Sequence, residues 1–111
     1  MAQVDISDEA MDDLQRLVYF LRDTFPETAA SLTPRMMNAF RLLRDHPQVG
    51  RRAQNLPVKE RDDCELRELM LSQGRSGYVA LYEYAPQRNL VRILRVRHQR
   101  EAGYASLRNL L

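Results

Sequence analysis

After a short opening stretch, the hydrophobic period of this chain changes from helical to strand spacing, and that change leaves few folds open. Between residues 8 and 46 apolar side chains recur at three- and four-residue steps, whereas between 65 and 98 they tend to alternate. Met11, Leu14, Leu17, Val18, Leu21 and Phe25 lie on one stripe and predict a helix of about 16–18 residues. Ser7 stands as its N-cap, with Asp8 and Glu9 in the first turn, where the helix dipole favours negative charge. Met36, Met37, Phe40 and Leu43 form a second stripe, closed by His46-Pro47. Pro34 interrupts this segment. Proline lacks an N–H and crowds the preceding turn, so a kink near Ala30, or a fresh start with Thr33 as N-cap and Pro34 at the first helical position, is expected.

The strand signals are equally ordered. Val4 and Ile6 alternate with Gln3 and Asp5 and predict a short first strand. Residues 47–62, with Pro47, Gly50, Pro57 and a mixed charge run, read as a loop. Three further strand-like runs cover 65–71, 78–84 and 90–98, separated by Gln73-Gly74-Arg75-Ser76-Gly77 and Pro86-Gln87-Arg88-Asn89. In the last run Arg92, Leu94 and Val96 share one phase, and Val91, Ile93, Arg95 and Arg97 the other. Short turns make these runs an antiparallel meander. The tail from Gln99 is polar, then mildly helical around Leu107, Leu110 and Leu111. A helical hairpin and a sheet with one apolar face each must cover one another. The predicted class is α+β: an N-terminal strand and a helical hairpin packed on a mostly antiparallel four-stranded sheet.

Composition narrows the function. A chain of 111 residues predicts a single domain, 1–111. Its 44% apolar and 29% charged content is that of an ordinary globular protein and excludes wholesale disorder. No run of about 18 apolar residues predicts a membrane span, and the early acids Asp5 and Asp8 argue against a signal peptide. Cys64 is the one cysteine and has no partner for an internal disulfide, which suits a reducing cytoplasm; it reads as a small buried hydrophobe. His46 and His98 stand far apart, so no metal and no cofactor is expected. Residues 1–46 hold five arginines against eight acids, a balance of −3. Residues 47–111 hold twelve Lys and Arg against seven acids, a balance of +5. Such asymmetry predicts that the C-terminal half faces an anionic partner.

The residues that could carry chemistry sit in that half. Arg67 and Arg75 flank the first meander strand, while Arg97, His98 and Arg100 close the last. If those strands are neighbours, several cations converge on one end or face of the sheet, and a guanidinium fork suits phosphate oxygens. Tyr104 follows seven residues after Arg97, where the chain folds back. Cations lower a phenol's pKa, which would fit Tyr104 to act as a general base. His98 starts near neutrality, at about 6.5. The competing reading pairs the arginines with Glu65, Glu68, Glu83 or Glu101 and makes Tyr104 a packing residue. Tyr78, Tyr82 and Tyr84 share one face and read as core and cross-strand partners.

Four segments together resemble the RelE/ParE superfamily of type II toxins, also known as plasmid stabilisation proteins. They are Glu65-Leu66-Arg67-Glu68-Leu69, Gly77-Tyr78-Val79-Ala80-Leu81-Tyr82, Val91-Arg92-Ile93-Leu94-Arg95-Val96 and Arg97-His98-Gln99-Arg100-Glu101-Ala102-Gly103-Tyr104. The resemblance implies a helical hairpin against a four-stranded, mostly antiparallel sheet. It also implies a cognate antitoxin that wraps the toxin in a hetero-oligomer. RelE-like members are metal-independent endoribonucleases that cut mRNA in the ribosomal A site. ParE-like members bind DNA gyrase without cleaving RNA, and an inactive, antitoxin-binding remnant is a third alternative. Carried over by position, Tyr104, His98, Arg97 and Arg75 stand as the catalytic candidates, and Arg67 and Arg100 as phosphate- or RNA-binding ones. Leu69 occupies a position where a basic residue recurs, and His98 stands where an arginine does.

Overall fold

A computed structural model describes residues 1–54, 56, 60, 61, 63–71, 77–101, 103 and 104. The elements run β1 (Gln3–Ile6), α1 (Asp8–Leu21), α2 (Pro26–Asp45), β2 (Arg51–Arg52), β3 (Glu65–Leu71), β4 (Tyr78–Ala85) and β5 (Leu90–His98). The sheet has five strands in the order β1-β5-β4-β3-β2. β1 runs parallel to β5, and every other pairing is antiparallel. The α+β class and the helical hairpin are as expected; the strand count is not. β2 was expected to be loop, because two arginines carry no alternation to detect. It forms because Arg51 and Arg52 pair with Glu68 and Arg67 on β3.

Helix α1 starts as its sequence dictates. The Ser7 side chain accepts the Ala10 amide at 3.1 Å, and its own hydroxyl donates to Leu94 O at 2.9 Å. One residue therefore caps the helix and ties it to β5. Helix α2 corrects one of the two expectations at Pro34, the fresh start with Thr33 as N-cap. Pro26 occupies the helix start, and the segment continues through Pro34 as one 20-residue helix. Proline at position 26 is pre-organised for a first turn. Leu32, Met36, Phe40 and Leu43 stay buried along the stripe on both sides of Pro34. Apolar burial of that length outweighs the one hydrogen bond that Pro34 deletes, whose loss is worth about 3 kcal/mol or more in a helix interior.

The helices cover one face of the sheet. Tyr78, Ala80 and Tyr82 of β4 and Val91, Ile93 and Val96 of β5 pack there against Leu14, Leu17, Phe40 and Leu43. Tyr78, Tyr82 and Tyr84 all meet this core, as their shared phase predicts. The phase on β5 slips, however. Tyr82 opposes Ile93 while Leu81 opposes Arg95, so Leu94 is an extra residue. Such a bulge moves later side chains to the other face. Val96 thereby joins Val91 and Ile93 under the helices, and Leu94 joins Leu66 and Leu81 on the opposite face. A smaller cluster forms on that second face, with Ala53, Leu56 and Tyr104 lying over it.

Beyond the end of β1, helix α1 serves as the neighbour of β5. Asp13 is buried and accepts the Val96 amide at 2.8 Å. It also takes both prongs of Arg95, at 2.8 Å from Nε and 2.7 Å from Nη2. A buried carboxylate is tolerable only with such complete pairing. Among the described residues no helix is long and apolar enough to cross a membrane.

Candidate functional site

The candidate residues divide between the two faces of the sheet. On the helix-side face of β3, Arg67 lies opposite Tyr82. Its Nη1 donates to Gly50 O at 2.7 Å and to Gln48 O at 3.2 Å, and its Nη2 to Glu65 Oε1 at 3.1 Å. Tyr82 works on the same turn: its hydroxyl donates to Pro47 O at 2.8 Å and accepts the Gly50 amide at 2.9 Å. Gly50 permits the close approach. A Cβ there would lie 2.6 Å from the Tyr82 hydroxyl and 2.7 Å from Glu68 O. The hydrogen bond from Arg67 holds the Glu65 carboxyl below the usual carboxylate range, against the effect of burial. Arg67, expected to hold phosphate, therefore anchors the passage from α2 into β2 in this structure.

His98 also turns to the helix-side face. Its ring meets Tyr78 edge-on, with centroids 5.1 Å apart and planes at 88°. Nδ1 accepts the Arg100 amide at 3.1 Å, so the imidazole hydrogen is left to Nε2. Arg100 itself stands exposed on the turn that follows.

Arg97 and Tyr104 meet on the opposite face. The Arg97 guanidinium lies over the Tyr104 ring, 5.0 Å from its centroid. Arg97 Nη1 also donates to His98 O, Gln99 O and Glu101 O, at 3.2, 3.3 and 3.2 Å, which fixes the turn beyond β5. The Tyr104 hydroxyl donates to Glu68 Oε2 at 2.5 Å. Glu68 is buried, and its other oxygen takes Arg51, with Nε at 3.3 Å and Nη2 at 3.2 Å. The order across the face is thus Arg97, Tyr104, Glu68, Arg51.

This geometry reverses the electrostatics expected of Tyr104. Burial and the Glu68 carboxylate push its phenol far above the ordinary value, and the lowering by Arg97 does not offset them. A phenol that donates to a carboxylate retains its proton rather than accepting one. The structure brings Arg97 and Tyr104 into contact and does not bring Arg67 or His98 to them. Arg75 lies outside the described residues, as does the turn around it.

Glu68 is the member that sequence reasoning placed only among alternatives for pairing. Its signal was present: Glu68 shares a strand phase with Leu66, so an acid falls on an apolar face and needs a donor. Asp13 gave a similar signal, one residue before Leu14 on the inner face of α1.

The comparisons with known proteins follow the fold. A chain of the toxin–antitoxin complex RelBE2 from Mycobacterium tuberculosis matches with 22% identity and a TM-score of 0.52, over 90% of this chain and 93% of that one. A chain of the intact RelBE toxin–antitoxin complex of E. coli matches with 16% identity and a TM-score of 0.47, over 86% of this chain and 94% of that one. No curated protein matches. The family described as ParE toxin of type II toxin-antitoxin system, parDE, matches residues 4–103. With its sheet, its helical hairpin and nearly its whole length accounted for, this chain belongs to the ParE toxins of type II toxin–antitoxin systems.

Proposed function

We propose that the chain arrests growth as a binding inhibitor, in the manner of ParE-like toxins that occupy DNA gyrase, and cuts no RNA. The observation that carries this reading is the hydrogen bond from Tyr104 to the buried Glu68 carboxylate. A general base must reach the hydroxyl it deprotonates with its own proton site empty. Tyr104 keeps its proton, Arg97 is committed to three carbonyls, and His98 and Arg67 lie across the sheet. What the molecule offers a partner is surface. The tip of the helical hairpin exposes Tyr19, Phe20 and Phe25, at 73%, 82% and 57% of their full area. Exposed aromatic groups gathered at one place suit association with another protein.

In this reading an antitoxin held in a hetero-oligomer masks the toxin, and both act in the cytoplasm. The test sets the purified full chain against two targets in parallel. Expected are loss of plasmid supercoiling by gyrase and an intact message on translating ribosomes. Growth arrest should survive Tyr104→Phe. A cut message whose cleavage vanishes with Tyr104→Phe refutes the proposal and restores the endoribonuclease; a chain that arrests nothing and only binds antitoxin is the inactive remnant.

A further inference from the structure

Where β4 begins and β5 ends, the helix-side face holds donors without acceptors. Tyr78 is only 3% exposed, yet among the described residues its hydroxyl makes no hydrogen bond. A buried phenol ordinarily finds a partner. The fully enclosed side-chain atoms that lack one are, among the described residues, Arg67 Nε, Glu83 Oε2 and Arg97 Nε, so the Tyr78 hydroxyl keeps an opening to solvent. His98 stands beside it, its ring centroid 5.1 Å from that of Tyr78, and the hydrogen on its Nε2 is likewise unspent. Arg35 completes the group from α2. It lies between Leu32 and Met36, which share the core with Tyr78. Burial pushes the Tyr78 phenol up, and the Arg35 charge is near enough to oppose that rise.

The charge of Arg35 is not answered locally. Its helix carries no acid between Glu27 and Asp45. Among the described residues neither Arg35 nor Arg100, exposed on the turn beyond His98, has a carboxylate at ion-pair distance. Glu101 is the acid whose charge reaches the Tyr78 phenol, and Arg16 already holds it, with Nη1 at 2.5 Å. The Gln99 amide donates to Gly77 O at 2.9 Å and keeps the two strand ends together. A phenol, an imidazole N–H and a guanidinium thus converge on a small area of positive charge.

We infer that Arg35, Tyr78 and His98 hold a small phosphate-bearing ligand by its terminal phosphate. All three offer hydrogens, phosphate oxygens accept them, and a guanidinium fork matches two such oxygens at once. Arg100 brings a second cation to the rim, which suits the near-double charge of a terminal phosphate better than a carboxylate. A nucleic-acid strand fits less well. It calls for a basic track, whereas α1, lying along β5, presents the exposed acids Asp8, Glu9 and Asp12. Free phosphate and a nucleoside diphosphate supply the same terminal group. The site lies on the face opposite the Arg97–Tyr104 pair, and the inference does not depend on how the toxin stops growth.

The test titrates inorganic phosphate into the full chain at constant ionic strength, with chloride as the reference anion, and follows the His98 ring signals by nuclear magnetic resonance. Expected is a saturable shift with phosphate and none with chloride. Arg35→Gln should weaken binding about tenfold or more, and Tyr78→Phe about threefold or more. Arg41→Gln, exposed nearer the other end of α2, should leave the isotherm unchanged. The dispersed spectrum of each variant shows that it folds, and Arg35→Gln carries the test if Tyr78→Phe does not. A nucleoside diphosphate that binds more tightly than inorganic phosphate, with the same dependence on Arg35, identifies a nucleotide as the source; equal affinities identify the free ion. The inference is overturned by a shift that never saturates, or by an isotherm indifferent to Arg35→Gln. Single-stranded RNA that binds through Arg35 more tightly than the nucleoside diphosphate overturns it as well.

Discussion

Tyr104 concentrates the residue-scale argument. A phenol at a strand end among cations suggests a lowered pKa, and the sequence contains those cations. The deciding neighbour is Glu68, thirty-six residues earlier, whose carboxylate reverses the sign. The consequence for stability is directional. A folded-state pKa raised above the unfolded value of about 10 leaves stability intact below that pH and removes it as the pH climbs further. Burial raises Tyr78 and Tyr82 as well. An ultraviolet titration should therefore show a late-titrating group of tyrosines, and Tyr104→Phe should delete one of its members and flatten the alkaline fall in unfolding midpoint. A Tyr104 phenol that ionises below the usual value would contradict the Glu68 contact. At Gly50 the outcome is steric. Gly50→Ala drives a Cβ into the Tyr82 hydroxyl and Glu68 O, and chemical denaturation should register a loss of about 1–3 kcal/mol.

Elements were more legible in the sequence than the contacts between them. The three meander runs, the Ser7 cap and the shared face of the β4 tyrosines follow from period and capping chemistry alone, and the structure has them. Period two also implies that Arg97 and His98, being adjacent, face opposite ways, so the two can share an end of the sheet but not one face of it. Other features leave no periodic trace. A strand of two arginines has nothing to alternate, and the Leu94 bulge shows itself only when β4 is laid beside β5. Arginine adds reach to that uncertainty, since phase assigns Arg67 to a face but not to Gly50 O. The Asp13–Arg95 pair joins α1 to β5 at that bulge and sets the element-scale prediction. Asp13→Ala leaves the buried guanidinium without its carboxylate and should cost about 3–5 kcal/mol in denaturant unfolding. Replacing both partners by apolar residues of similar volume should recover much of that loss, whereas two independent penalties would disprove the coupling.

Over the whole molecule, charged contacts and apolar surface are separated. The ion pairs collect along the sheet and at its β2 edge, where Arg51, Arg52 and Arg67 meet Glu60, Glu65 and Glu68. The bare aromatics sit at the far end of the helical hairpin. If that tip engages the target, Phe20→Ala should weaken growth arrest in cells while leaving the unfolding midpoint within about 0.5 kcal/mol of the parent, as expected of an exposed site. Arrest undiminished by the substitution would place the contact elsewhere. The sheet is also closed by distant parts of the sequence: among the described residues β1, near the start, has β5 as its one strand neighbour. As synthesis proceeds from the N-terminus, Gln3–Ile6 must wait unpaired until Leu90–Ile93 have been made. A cell producing this toxin thus gains an interval in which the nascent polypeptide cannot yet assemble its complete fold.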